Sequence, residues 1–130
     1  MKKLIAVCLS ALLCAALLAG CGGGLSDAYD EEKVVSLAHE VVTDLNSNDY
    51  DAVVAMMNDK MKAALPADKL SEAWAPVSEQ LGAFDSFIKD ATSEKDSIAT
   101  IVVLAKYANA NLTFTISFNT DLQLVGLYMK

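Results

Sequence analysis

The sequence predicts an α+β domain, three helices packed on an antiparallel sheet of about four strands, behind a cleaved export signal. Three observations lead there. The chain opens basic, then apolar, and reaches a cysteine at Cys21. Apolar residues recur at helical spacing between Asp30 and Leu81. From Ala83 onward the period changes to two. Helices first and strands afterwards make an α+β domain rather than alternating βαβ units.

Lys2 and Lys3 form a positive n-region, and Leu4 to Leu18 is an apolar run broken only by Ser10. That run has 15 residues, fewer than the roughly 20 that a spanning helix needs. Leu18-Ala19-Gly20-Cys21 resembles the lipobox of bacterial lipoproteins, cut before a cysteine already carrying diacylglycerol. Residues 1–20 are then a lipoprotein signal peptide, 21–29 the lipidated cysteine with a flexible tether, and 30–130 a single domain. A buried methylene contributes about 0.8 kcal/mol, and one acyl chain holds a protein only reversibly, whereas two hold it stably. Gly22, Gly23, Gly24 and Ser26 suit a flexible tether. The expected address is the extracytoplasmic face of the cell membrane, with diacylglyceryl-Cys21 as the membrane contact.

Helix one is expected from Asp30 to Asn46. Val34, Leu37, Ala38, Val41 and Leu45 form its stripe, with acids Asp30, Glu31 and Glu32 at the positive end of the dipole. Asn46-Ser47-Asn48 breaks it, and Asn48 or Asp49 caps a second helix whose face is Tyr50, Val53, Val54, Met57, Met61 and Leu65. After Pro66 a third helix runs from Asp68 towards Leu81 through Leu70, Trp74 and Val77. Pro76 predicts a kink or break near Ala75, and Gly82 suits the stop. Strands are expected at Phe84–Lys89, Ser97–Ala108, Leu112–Phe118 and Leu122–Met129, with Asn109–Asn111 and Asn119-Thr120-Asp121 as turns.

The second strand is apolar on both alternating sets, Ile98, Val102 and Leu104 against Ile101, Val103 and Tyr107. The last strand sets Val125, Leu127 and Met129 against Leu122, Leu124 and Tyr128. Either the strands curl so that both faces are covered, or the second face meets another subunit, a homodimer through the sheet.

Composition excludes several classes. Cys8 and Cys14 leave with the signal and Cys21 is acylated, so the mature domain keeps no free thiol for disulfides or cysteine catalysis. There is no Arg; without Lys2 and Lys3, eight lysines face seventeen acids, a formal net of −9. Such a chain is expected to be repelled by nucleic acid and by anionic headgroups.

Asn48-Asp49-Tyr50-Asp51-Ala52-Val53-Val54 leads into Met61-Lys62-Ala63-Ala64-Leu65-Pro66, followed by Leu70, Trp74, Leu81-Gly82-Ala83-Phe84 and a closing Leu124-Val125-Gly126-Leu127-Tyr128. In order and spacing these resemble the domain-of-unknown-function family 3887, over about Glu31 to Tyr128. The resemblance implies a cone similar to nuclear transport factor 2, with helices on a strongly curved antiparallel sheet. It carries over no catalytic residue.

Candidate chemistry is sparse. His39 is the single histidine; it falls off the helix-one stripe and is expected to face solvent. No second histidine accompanies it for a zinc helix, and no G-x-S-x-G elbow, calcium loop or phosphate loop is present. Asp49/Asp51 and Asp27/Asp30 lie at helix starts, where capping explains them. Met56, Met57 and Met61 suit core filling, and the Asn111-Leu112-Thr113 sequon is taken as chance. Trp74, Phe84, Phe87, Tyr107, Phe114 and Phe118 are the candidates to line a pocket in the cone, or else to fill it as core. No metal or cofactor is expected. The functional expectation is a non-catalytic binding or interaction module. The alternative is a carrier of small apolar ligands, and after it an isomerase- or lyase-like enzyme with a buried carboxylate.

Overall fold

The computed structural model describes residues 25–130. The expected signal peptide, the lipobox Leu18-Ala19-Gly20 and Cys21 lie outside the described residues.

Helix α1 spans Glu31–Asn46, with the Asp30 side chain accepting from the Lys33 N–H as its cap. Its stripe Val34, Ala38, Val41, Val42 and Leu45 is buried, as the apolar spacing predicts. Asn48 turns the chain with φ 59, and Asp49 caps α2, Tyr50–Met56, by accepting from the Ala52 N–H. The single helix expected from Tyr50 to Leu65 is two. Met57 is extended, with φ −76 and ψ 150, and bridges to Leu124 of the sheet. The Asn58 N–H donates to the Leu124 carbonyl at 3.1 Å, while its side chain accepts from the Met61 N–H and starts α3, Asp59–Ala64. A cap residue in mid-pattern plus a tertiary bridge outweighs continuation of the helix. The described residues thus hold four helices.

Helix α4 is Ala67–Leu81 and buries Leu70, Trp74 and Leu81. Of the kink or break expected near Ala75, the break does not occur, since the helix continues through Pro76. Pro76 lies on the exposed side, as does Glu72, whose carbonyl the proline leaves unpaired, so water can satisfy it. Gly82 ends the helix at φ 77, where an added Cβ would meet Asn109 Nδ2 at 3.0 Å.

The sheet has order β1-β2-β3-β4, with β1 Phe84–Lys95, β2 Ile98–Tyr107, β3 Asn111–Phe118 and β4 Leu124–Met129. Every neighbouring pair is antiparallel. Strand β1 runs to Lys95 rather than stopping at Lys89, because Asp96 and Ser97, with φ 53 and 66, form a two-residue hairpin turn. Its register is irregular between Phe84 and Ser86 and between Phe87 and Lys89, bulges that bend an edge strand and increase its twist.

The helices cover one face of the sheet. Ala99, Ile101, Val103, Ala105 and Tyr107 of β2 are buried there, with Leu112, Phe114, Ile116 and Phe118 of β3 and Leu124. The alternate residues, Thr100, Val102 and Leu104 among them, are partly exposed on the other face. The segment expected to be free tether up to Tyr29 is fixed from Ser26 on. The Ser26 N–H donates to Glu94 Oε1 at 2.9 Å. The Tyr29 hydroxyl donates to the carbonyls of Ser97 and Phe118, which holds the segment at the β1–β2 turn.

Candidate functional site

The aromatic candidates are largely gathered into one chain of rings under the helices. Trp74 of α4 lies 5.9 Å from Phe114 and 6.4 Å from Tyr107, centroid to centroid. Phe84 meets Tyr107 edge-on at 5.4 Å and Phe87 at 5.1 Å, the tilted geometries that aromatic quadrupoles favour. Phe118 stands apart, four residues further along β3. Trp74, Phe114 and Phe118 are fully buried, and Tyr107 nearly so. All six belong to the core or pack against it.

Polar groups meet the chain of rings at Tyr107. The Tyr107 hydroxyl donates to Asn46 Oδ1 at 2.7 Å. Burial pushes its pKa up to about 12, partly offset by that hydrogen bond. Trp74 Nε1 and Asn46 Nδ2 are buried donors without a protein acceptor.

Among the described residues, clefts of a few hundred Å³ lie elsewhere. One of about 470 Å³ follows α1 past Glu31, Glu32, Val35, Ser36 and His39. Another, of about 530 Å³, lies among Asn58, Lys60, Met61, Ile98, Asn119 and Val125. Neither is lined by the six aromatic candidates.

His39 keeps 29% of its side chain exposed, with one face of its ring covered. Its ring stacks on Phe87 at 3.9 Å and 12°, and Nε2 lies 2.7 Å from Asp90 Oδ1. The histidine borders the buried stripe, and the long β1 passes beneath it, so it packs on the strand. The acids serve surface roles. Asp30 and Asp49 cap helices, and Glu31 accepts from Thr92 Oγ1 at 2.7 Å. Hydrogen bonds from the Ser26 side chain and backbone hold the Glu94 carboxyl below its usual range. Burial, then the neighbours Glu40 and Asp49, push the Asp44 carboxyl up. Among the described residues no three His, Cys, Asp or Glu side chains are grouped to hold a metal, and no helix is long and apolar enough to cross a membrane.

The sheet's other face is a surface that residue spacing alone does not delineate. Directly opposed residues of an antiparallel pair share a face, so the register gives its rows. Lys89, Leu104 and Thr113 form one, extended to Lys130, whose backbone exchanges both hydrogen bonds with Thr113. Ala91, Val102, Thr115 and Tyr128 form the next, then Ser93, Thr100, Ser117 and Gly126. Tyr128 is 71% exposed, and its ring leans towards Gly126, where a Cβ would lie 3.8 Å from Tyr128 Cε2.

Comparison with known proteins agrees with this architecture. The solved NMR structure of a protein from Ruminococcus gnavus ATCC 29149 is similar, with a TM-score of 0.69 and 22% identity over 81% of this chain and 95% of that one. At that identity the likeness concerns the fold. No curated protein matches. Residues 38–127, which run from the buried stripe of α1 to the last strand, match the family model "Protein of unknown function (DUF3887)". Over that span the α1–β4 architecture and the sequence agree, and the chain belongs to the DUF3887 family.

Proposed function

We propose that this chain is a lipid-anchored, non-catalytic interaction module. Diacylglyceryl-Cys21 holds it at the extracytoplasmic face of the cell membrane, and the uncovered face of its sheet meets the partner. The observation that carries the reading is the asymmetry of the sheet. One face is buried under helices; the other bears Tyr128 at 71% exposure with Val102 and Leu104 partly exposed beside it. An uncovered face with apolar side chains is what a docking surface requires. The roles of Asp30, Asp49, Glu31 and Glu94 in caps and surface hydrogen bonds also support it. The anchor rests on Leu18-Ala19-Gly20-Cys21. Metabolic labelling with an alkyne fatty acid tests it. The wild type should carry label and sediment with membranes, and Cys21→Ser should do neither. An unlabelled wild type would contradict the anchor.

A second reading, carriage of a small, mainly apolar molecule, is favoured by one observation. Trp74 Nε1 and Asn46 Nδ2 are donors buried without a protein acceptor, and an oxygen atom of a ligand would satisfy them. Native mass spectrometry of protein from its own host would show a co-purifying mass; a clean apo mass would end this reading.

A further inference from the structure

We propose that the uncovered sheet face lies flat on an anionic lipid bilayer. This names the partner of the module described above and rests on that reading.

The register separates the charges of the strands. Lys89 and Lys106 lie on the uncovered face opposite Leu104 and Asn111, Lys95 opposite Ile98, and Lys130 beside Thr113. All four lysines are exposed. Among the described residues the ion pair is His39 with Asp90, so these lysines face no carboxylate partner. The acids of β1 point the other way. Asp90 lies opposite buried Val103 and Glu94 opposite buried Ala99, where His39 and Ser26 hold them. The nearest acids to the face are marginal, Asp85 at a bulge and Asp96 and Asp121 in turns.

The overall negative charge does not decide the matter. Glu40, Asp44, Asp49 and Asp51 sit on α1 and α2 or their caps, in the layer that covers the opposite face, and Glu31 is held by Thr92 on the covered side of β1. Salt screens charges over about 8 Å at physiological strength, so acids behind the sheet weigh less at the bilayer than lysines on the face itself. A bilayer against the sheet therefore meets lysines first. The expectation of repulsion holds for a uniformly charged body, and this domain is not one.

The rest of the face suits a headgroup layer. Thr113 and Thr115 offer hydroxyls between the lysines, Thr100 and Ser117 bond to each other beside them, and Val102 and Leu104 contribute partly exposed aliphatic surface. Tyr128 adds an exposed aromatic ring with a polar tip, the residue type enriched at membrane interfaces. Position agrees as well. Ser26 is held by Glu94 on the covered side of edge strand β1, near its turn into β2, and the five residue steps back to Cys21 reach at most about 18 Å. That reach allows an anchor at Cys21 to pass the sheet edge at the β1–β2 end. From Ile98 to Lys106 the face extends roughly 27 Å along β2, so both lysine groups touch the bilayer only if the sheet lies down. A second copy meets this face less well, because stacking two such faces brings unpaired lysines together with no carboxylate between them.

The test uses residues 21–130 carrying Cys21→Ser, which retain the whole core from Tyr29 to Leu124 and lack the acyl chains. Vesicle binding is thereby read separately from the anchor, which the labelling experiment tests. Co-sedimentation is measured with equimolar phosphatidylglycerol–phosphatidylcholine vesicles and with pure phosphatidylcholine. Each lysine near an anionic surface raises partitioning about fivefold. The chain should bind the anionic vesicles and not the neutral ones, and release as salt rises from about 0.1 M to about 1 M. Lys89→Gln, Lys106→Gln and Lys130→Gln together should lower partitioning about a hundredfold with an unchanged circular dichroism spectrum and melting temperature. Equal binding to both vesicles, no binding to either, or a salt-resistant dimer by light scattering whose interface covers Tyr128 would overturn the proposal.

Discussion

The two faces of the central strands share one backbone and live in different surroundings. On the inner face, Ile101, Val103, Phe114 and Ile116 are fully buried beneath α1 and α4. On the outer face, their neighbours Thr100, Val102, Thr113 and Thr115 remain partly exposed. The inner face supplies stability, since burying an aliphatic or aromatic side chain contributes about 1.5–3 kcal/mol. The outer face supplies contact surface, and its side chains can change with little effect on the fold. A sheet covered on one side only thus separates folding from function, residue by residue along the same strand.

The largest expected effect lies at the centre of the inner face. Trp74→Ala should lower stability by about 3–5 kcal/mol, read as the urea midpoint. A loss below about 1 kcal/mol would mean that the interior is loosely filled, against the ring contacts described. Next comes the buried polar contact. Tyr107→Phe leaves Asn46 without its hydrogen bond and should cost about 1–2 kcal/mol.

The same residue gives a pH signature. The folded pKa of Tyr107 is raised to about 12 from the ordinary value of 10.0. Its contribution is therefore complete below the ordinary value and is lost as pH rises towards about 12. Wild-type stability should fall across that window, and Tyr107→Phe should flatten the slope. A smaller effect is expected at the acidic edge of α1. The Asp44 pKa is raised by burial and by Glu40 and Asp49, so the fold disfavours its ionised form. Asp44→Asn should raise the melting temperature slightly at neutral pH, and the gain should shrink as pH falls through the raised pKa. On the outer face, Tyr128→Ser should change stability by no more than about 0.5 kcal/mol while weakening anionic-vesicle binding.

What the sequence made legible follows burial. The stripe Val34–Ala38–Val41–Leu45 and the alternation of Leu112, Phe114, Ile116 and Phe118 are periodic because one side of each is covered. The caps at Asp30 and Asp49 are local chemistry, so residue type at a helix start identifies them. The break at Met57 was not legible, because the bridge to Leu124 comes from the far end of the chain. Nor was the second half of β1, an edge strand with polar residues on both faces and therefore no apolar alternation. The partners of His39 were not legible for the same reason, since Phe87 and Asp90 lie on that strand. The lysine face is hidden more deeply. Lys89, Lys95, Lys106 and Lys130 have no common spacing, and pairing three strand boundaries is needed to bring them onto one face.

The contrast between the faces can be read directly by thiol labelling in the Cys21→Ser chain from residue 21, which has no other cysteine. Tyr128→Cys should react at the rate of a free thiol, and Ile116→Cys should stay protected until the chain unfolds. Adding phosphatidylglycerol vesicles should then slow Tyr128→Cys alone. Equal reactivity at the two positions, or protection at residue 128 without vesicles, would contradict a domain closed on one side of its sheet and open on the other.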